Sequence, residues 1–313
     1  MSGPEVFPLG GMPAEVTVYE VGPRDGLQAE GVRVPLQTKL ELLDRLADAG
    51  LTAIEATSFV SARWVPQLSD ADELMRGLAR RPGVRYPVLV PNLRGLERAL
   101  AAGADEVAVF VSATERFAAE NLGTTQEGAI QMAAPVIQRA RALSITVRGY
   151  VSMCFGDPWE GRVDPRQPAL VAGRLVDLGC QTVSLGDTIG VATPGHVRSV
   201  LSAVLATGLT PRQVALHFHD TYGQALANVL AGLEAGVVEF DSSAGGLGGC
   251  PYAKSATGNL ATEDLVWMLT GLGIRTGVDL HRLASTSAWL AAKLGRPSPS
   301  RVVAALCRDD DSL

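Results

Sequence analysis

Cysteine is scarce in this chain: Cys154, Cys180, Cys250 and Cys307 are the only four in 313 residues, and no two form a Cys-x-x-Cys pair. That spacing offers no zinc knuckle and no disulfide framework, so reduced thiols in a cytoplasm are expected. Long apolar runs are missing as well. No stretch approaches the roughly 18 apolar residues of a membrane span. Residues 1–14 lack the basic and apolar regions of a secretory signal, which predicts a cytoplasmic protein. Positive charge is in deficit: 27 Lys and Arg against 33 Asp and Glu leave a formal charge of −6. Nucleic acid and anionic membranes are therefore poor candidates for the main partner. An anionic small substrate would need a local cluster of arginine, lysine or metal. Polar low-complexity tracts are also absent, and 47% hydrophobic residues can fill a large core. Histidine is the last scarcity: of four in the chain, two stand as His217-Phe218-His219.

Short apolar runs alternate with amphipathic segments over most of the length. Strands are predicted near residues 16–20, 52–57, 86–90, 106–111, 145–151, 182–185, 214–219 and 237–241. A broad apolar stripe predicts a helix over 36–49, opened by Pro35 and stopped by Gly50. Thr124 with Glu127 three residues on predicts a capping box for a helix over 129–143. Thr193-Pro194 reads as an N-cap followed by proline at the first helical position. Gly179, Gly208 and Gly236 end the helices before the last three strands. Eight strand–helix units with short connections predict one α/β domain, a (β/α)8 barrel over residues 1–313 with peripheral termini. The alternative, a doubly wound open sheet, wants a Gly-x-Gly-x-x-Gly turn after the first strand. Val21-Gly22-Pro23-Arg24-Asp25-Gly26 does not supply it.

In such a barrel the C-terminal ends of the strands and the loops after them share one mouth. Arg24 and Asp25 follow the first strand, Glu55 lies in the second, and Arg148 and Tyr150 are i and i+2 on the fifth. Asp187 follows the sixth, His217 and His219 end the seventh, and Cys250 and Asn259 lie in the glycine-rich segment after the eighth. On a strand, i and i+2 face the same way, roughly 6.5–7 Å apart, so two imidazoles can converge on one metal ion. Each residue has a plainer reading. The histidines can be satisfied barrel residues, Arg24-Asp25 a turn ion pair, and Asp187 a turn aspartate. Glu55 can be a buried salt-bridge partner, and Cys250 a small buried hydrophobe. The four glycines in the five positions before Cys250 instead suggest a mobile loop. Two histidines, an aspartate and Asn259 would suit an octahedral Mg²⁺ or Mn²⁺ with open positions better than a closed zinc site. Such a centre favours chemistry through alkoxides and enolates.

The segments GPRDGLQ (22–28), IEATSFVSARWVPQ (54–67), VRGYVS (147–152), SLGDTIG (184–190), LHFHDTYGQALAN (216–228), GGLGGCPYA (245–253) and TGNLATEDLV (257–266) occur in unbroken order. Together they resemble the 3-hydroxy-3-methylglutaryl-CoA lyases of the DRE-TIM metallolyase superfamily, over about residues 16–305. The resemblance implies Asp25, His217, His219 and Asn259 as ligands of a divalent Mg²⁺ or Mn²⁺. It implies Cys250 as the catalytic thiol and Arg24 as the cation facing the substrate carbonyl. Glu55 and Asp187 match site carboxylates, and Ser58, Arg148 and Tyr150 match residues lining the acyl pocket. The implied partner is a small acyl-CoA substrate, in a homodimeric enzyme, and the implied reaction is a retro-Claisen cleavage to acetyl-CoA and acetoacetate. Claisen synthases of the isopropylmalate and homocitrate type typically read RDGEQ where this chain has RDGLQ, and they lack the GGCPYA cysteine. A lyase for another 3-hydroxyacyl-CoA stays open, and a non-catalytic barrel would be expected to have lost a ligand or the thiol. Cys307 sits about where some relatives carry a regulatory cysteine, and an exposed tail thiol would be open to intermolecular disulfides.

Overall fold

A computed structural model describes residues 3–249 and 258–307. The strands are β1 (Thr17–Glu20), β2 (Ala53–Ile54), β3 (Thr57–Ser58), β4 (Val88–Leu89), β5 (Glu106–Ser112), β6 (Thr146–Ser152), β7 (Thr182–Asp187), β8 (Val214–Phe218) and β9 (Glu239–Ser242). Neighbours run parallel in the order β2-β1-β9-β8-β7-β6-β5-β4-β3. The two ends of this list are consecutive in the chain, so the sheet closes on itself as a barrel. The stave expected over 52–57 is read as two short pieces because it changes partner midway. The Glu55 N–H donates to the Glu20 carbonyl at 2.8 Å, and the Ala56 N–H to the Pro87 carbonyl at 2.9 Å. Pro87 has no N–H to return, which thins the ladder there.

A helix follows each stave: Leu36–Asp48, Ala71–Gly77, Leu93–Ala101, Gln126–Ala142, Arg166–Leu178, Pro194–Leu205, Ala225–Glu234 and Thr262–Gly271. Each turns an apolar stripe to the sheet. In the first, Leu42, Leu43 and Leu46 are spaced for one helical face and are all buried. Burying each side chain contributes about 1.5–3 kcal/mol, and Leu43→Ala would lose about 2–5 kcal/mol. A further helix, Leu280–Leu294, packs on this first one, with the Arg45 guanidinium 4.5 Å from the Trp289 ring. The capping expectation needs correction. Thr125, not Thr124, caps helix Gln126–Ala142, its hydroxyl accepting from the Gly128 N–H at 3.0 Å. Glu127 makes no reciprocal bond there and pairs instead with Arg174.

The barrel interior is unusual. Where branched aliphatic layers are the norm, this one holds Arg148, 3% exposed, paired to Glu239 and Asp241 from β9. Its guanidinium lies 4.0 Å from the Tyr19 ring and 5.2 Å from the Tyr150 ring. Charges this deep persist only when paired, and β9 supplies the pairing from the i and i+2 positions of one strand face. That ionic layer is the floor on which the mouth is built.

Candidate metal centre and active site

After β1 the chain winds into a tight turn, Gly22–Gly26. The N–H groups of Arg24, Asp25 and Gly26 all point to the Val21 carbonyl, at 3.1, 2.7 and 3.2 Å. The glycines at its two ends are steric requirements. A Cβ on Gly22 would lie 2.5 Å from Glu20 Oε1, and one on Gly26 would lie 2.8 Å from Ser243 Oγ. The turn therefore presses against the segment after β9 and sends Arg24 and Asp25 over the barrel axis.

Arg24 is 7% exposed and bridges two carboxylates, Glu55 at 2.5 Å through Nε and Asp25 at 2.6 Å through Nη1. Burial works against its charge, but Glu55 and Asp25 outweigh that and keep the guanidinium firmly protonated. Its face lies 5.3 Å from the Tyr150 ring. The Tyr150 hydroxyl is buried with no partner, an open polar atom beside the cation. Ser58, fully buried at the end of β3, accepts from the Val60 N–H at 3.3 Å.

Asp25, His217 and His219 bring one ligand atom each within 4.8 Å of one another. The rings of the two histidines lie 5.3 Å apart, centroid to centroid, as expected for i and i+2 on one strand face. The strand expected to reach residue 219 stops at Phe218, because His219 already bridges antiparallel to Asn259. Segment 258–260 crosses the top of β8 by two bonds, Leu260 N–H to Phe218 carbonyl and Asp220 N–H to Gly258 carbonyl. This crossing carries Asn259 into the site, where its amide nitrogen donates to Asp25 Oδ2 at 2.9 Å and to the Leu247 carbonyl at 3.0 Å. Its Oδ1 is left buried and unpartnered, as is His219 Nδ1. Buried polar atoms are rarely orphaned. An oxygen and a nitrogen without partners, beside an aspartate and a second histidine, fit a hard divalent cation.

The electrostatics agree with that reading. Burial alone would raise the Asp25 carboxyl, but Arg24, both histidines and Asn259 outweigh it and hold it well below the usual range. Burial, with His217 nearby, pushes His219 down to about 4, so it is a neutral donor over the ordinary pH range. His217 is raised: burial opposes its charge, while Asp241 and Asp25 favour it. Asp187, at the end of β7, is pushed up to about 6 by burial, against the Ala192 and Val191 N–H groups and His217.

Cys250, the expected thiol, lies outside the described residues. The loop leading to it starts from a packed root. Ala244, Gly245, Gly246 and Leu247 are buried, and two buried carboxylates hold the root. Glu20 accepts from the N–H groups of Gly22 and Ala244 at 2.7 and 2.9 Å, and Glu263 from that of Gly245 at 2.9 Å. Gly245 adopts φ +66° and Gly248 φ +111°, conformations that favour glycine. The glycines thus shape a packed turn. Cys307 is half-buried, and burial together with Glu263 raises its thiol. Sequence reasoning missed Glu20, Glu263 and Asp241. Asp241 and Glu239 had a signal, two acids at i and i+2 in a predicted barrel strand, the same spacing that singled out Arg148 and Tyr150.

The HMGL-like family profile matches residues 15–290. The chain belongs to the HMGL-like family. It is 52% identical over 300 residues to the mitochondrial hydroxymethylglutaryl-CoA lyase of Rattus norvegicus, covering 96% of this chain and 92% of that one. It is 49% identical over 301 residues to the cytoplasmic 3-hydroxy-3-methylglutaryl-CoA lyase of the same animal, covering 96% and 88%. Among solved structures, the hydroxymethylglutaryl-CoA lyase of Pseudomonas aeruginosa superposes with a TM-score of 0.93 at 48% identity, over 95% of this chain and 99% of that one. The span matched by the family, residues 15–290, includes every stave of the barrel and the turn, strand ends and crossing segment that compose the site of this HMGL-like protein.

Proposed function

We propose that this protein is a metal-dependent carbon–carbon lyase that cleaves 3-hydroxy-3-methylglutaryl-CoA to acetyl-CoA and acetoacetate. The observation that carries the reading is the meeting of Asp25, His217 and His219 beside the unpartnered Asn259 Oδ1, next to a buried arginine. Asp25, His217, His219 and Asn259 would hold Mg²⁺ or Mn²⁺. When bound, such an ion supplies Lewis-acid polarisation of substrate oxygens and lowers the pKa of a hydroxyl.

The residues around the centre divide the remaining work. Asp187, lifted to about 6, has a basicity suited to taking the proton of the tertiary hydroxyl. As that proton leaves, the hydroxyl carbon becomes the acetoacetate ketone, and the electron pair of the broken C–C bond passes to the acetyl-CoA enolate. Arg24, fixed by Glu55 and Asp25, stabilises the enolate oxygen as charge develops on it. Tyr150, whose hydroxyl is buried and unpartnered, and Ser58 would line the acyl side of the pocket. Arg148 is tied to Glu239 and Asp241, so its contribution to that pocket is to support its floor. Cys250 then gives its proton to the enolate carbon. A homodimer in the cytoplasm completes the proposal; the relatives include both mitochondrial and cytoplasmic forms.

The test is an assay of purified protein with HMG-CoA and Mg²⁺ or Mn²⁺, with a chelator control. Acetoacetate should form and should disappear on chelation. Metal binding without acetoacetate would reject this substrate, and undiminished activity in chelator would reject the metal.

A further inference from the structure

Asp241 lies on β9 at the register position paired with His217 and is 1% exposed. Its Oδ2 accepts from Ser184 Oγ at 2.9 Å and meets His217 Nδ1 at 3.3 Å, while its Oδ1 pairs with Arg148. Arg148 continues the chain of charges to Glu239. Two of the partners of this carboxylate, Arg148 and Ser184, are donors, and the third is a ring nitrogen of a ligand candidate. His219 has nothing comparable: its Nδ1 is buried without a partner.

We infer that Asp241, held by Arg148 and Ser184, is a positioning residue that fixes the tautomer and ring angle of His217 and so sets the affinity of the site for its divalent cation. The inference rests on the proposed metal site. Its physical basis is simple. An imidazole has two nitrogens, and a carboxylate facing Nδ1 keeps the proton there and leaves Nε2 free to ligate. Arg148 has a separate task. It pairs with the other oxygen of the buried carboxylate and so offsets the cost of holding that charge inside the barrel. Ser184 restrains the same oxygen that meets His217. Ligand orientation is thereby transmitted from β6, β7 and β9 to β8, through groups that never touch the ion.

Asp241→Asn is the informative substitution. The amide must turn its NH₂ either toward Arg148, a donor facing a donor, or toward His217 Nδ1, which moves the ring proton to Nε2 and blocks ligation. Titration calorimetry of the metal-free protein with Mn²⁺ should show affinity lowered by about 10- to 100-fold. In a His217→Ala background the same change should have no more than about a twofold effect, because the ring it positions is gone. Wild-type affinity in Asp241→Asn, or an equal loss in both backgrounds, would overturn the inference. A readout on the unmodified protein keeps the test independent of mutant folding. With only four histidines in the chain, ¹⁵N–¹H spectra of the Mg²⁺-saturated protein should place the His217 proton on Nδ1; finding it on Nε2 would refute the positioning role. Failure of the unmodified protein to bind either ion would instead refute the metal site itself.

Discussion

Replacing Glu263 with glutamine removes a buried ionisable group while keeping its shape. The carboxyl is fully buried, accepts from the Gly245 N–H and from Ser287, and is pushed up to about 8, first by burial and further by Glu20. In the unfolded chain the same group titrates near its ordinary value of 4.5. Below that value both states are protonated and the group has no pH-dependent effect. Between 4.5 and about 8 the unfolded chain releases a proton that the folded protein retains, so stability is lost as pH rises through this window. At about 1.4 kcal/mol for each pH unit, the ceiling is about 5 kcal/mol. Glutamine accepts from Gly245 and donates to Ser287 but cannot ionise. Thermal melts in chelator from pH 5 to 9 should therefore show the two proteins close together at pH 5. Near pH 8 Glu263→Gln should lead by several kcal/mol, or about 2–4 °C for each. Parallel melting curves across this range would refute the account of a buried acid under the glycine turn.

Glu55→Gln leaves Arg24 paired only to Asp25, so we expect about 3 kcal/mol of lost stability by denaturant titration. The same variant should lose about 100-fold in kcat through a displaced guanidinium. Gly248→Ala places a Cβ 2.6 Å from Asn259 Nδ2 at φ +111°; Mn²⁺ affinity by calorimetry should fall by about 10-fold or more, and unchanged affinity would detach Asn259 from the centre. Cys250→Ser should bind Mn²⁺ normally yet turn over at least about 100-fold more slowly, and near-normal turnover would remove the thiol from the mechanism.

Much of the barrel was legible because local rules fix it. Eight strand–helix units, the helix over 36–49 and the glycine stops follow from periodicity and from backbone chemistry within a few residues. Where local signals competed, the reading slipped. The capping box was read at Thr124, and the cap of the helix is Thr125, one residue on. The stave at 52–57 broke because its two halves bond to different neighbours, which no local pattern records. The root of the glycine loop before Cys250 was not legible either, because Glu20 and Glu263, more than 200 residues apart, converge to hold it.

The site divides along the same line. The His217-Phe218-His219 spacing put two imidazoles on one face of a strand, since side chains alternate along any strand, and that much needed no fold. The Arg24-Asp25 turn, bounded by glycine on each side, was visible too. Asp25 and Asn259 stand 234 positions apart in the chain, and only closure of the sheet, with the crossing of segment 258–260 over β8, brings them to 2.9 Å. The sequence determined which side chains could bind an ion, because their chemistry and spacing are local. The tertiary structure decided which of them meet, and which buried charges beneath them hold them still, because burial and long-range pairing exist only once the barrel is closed.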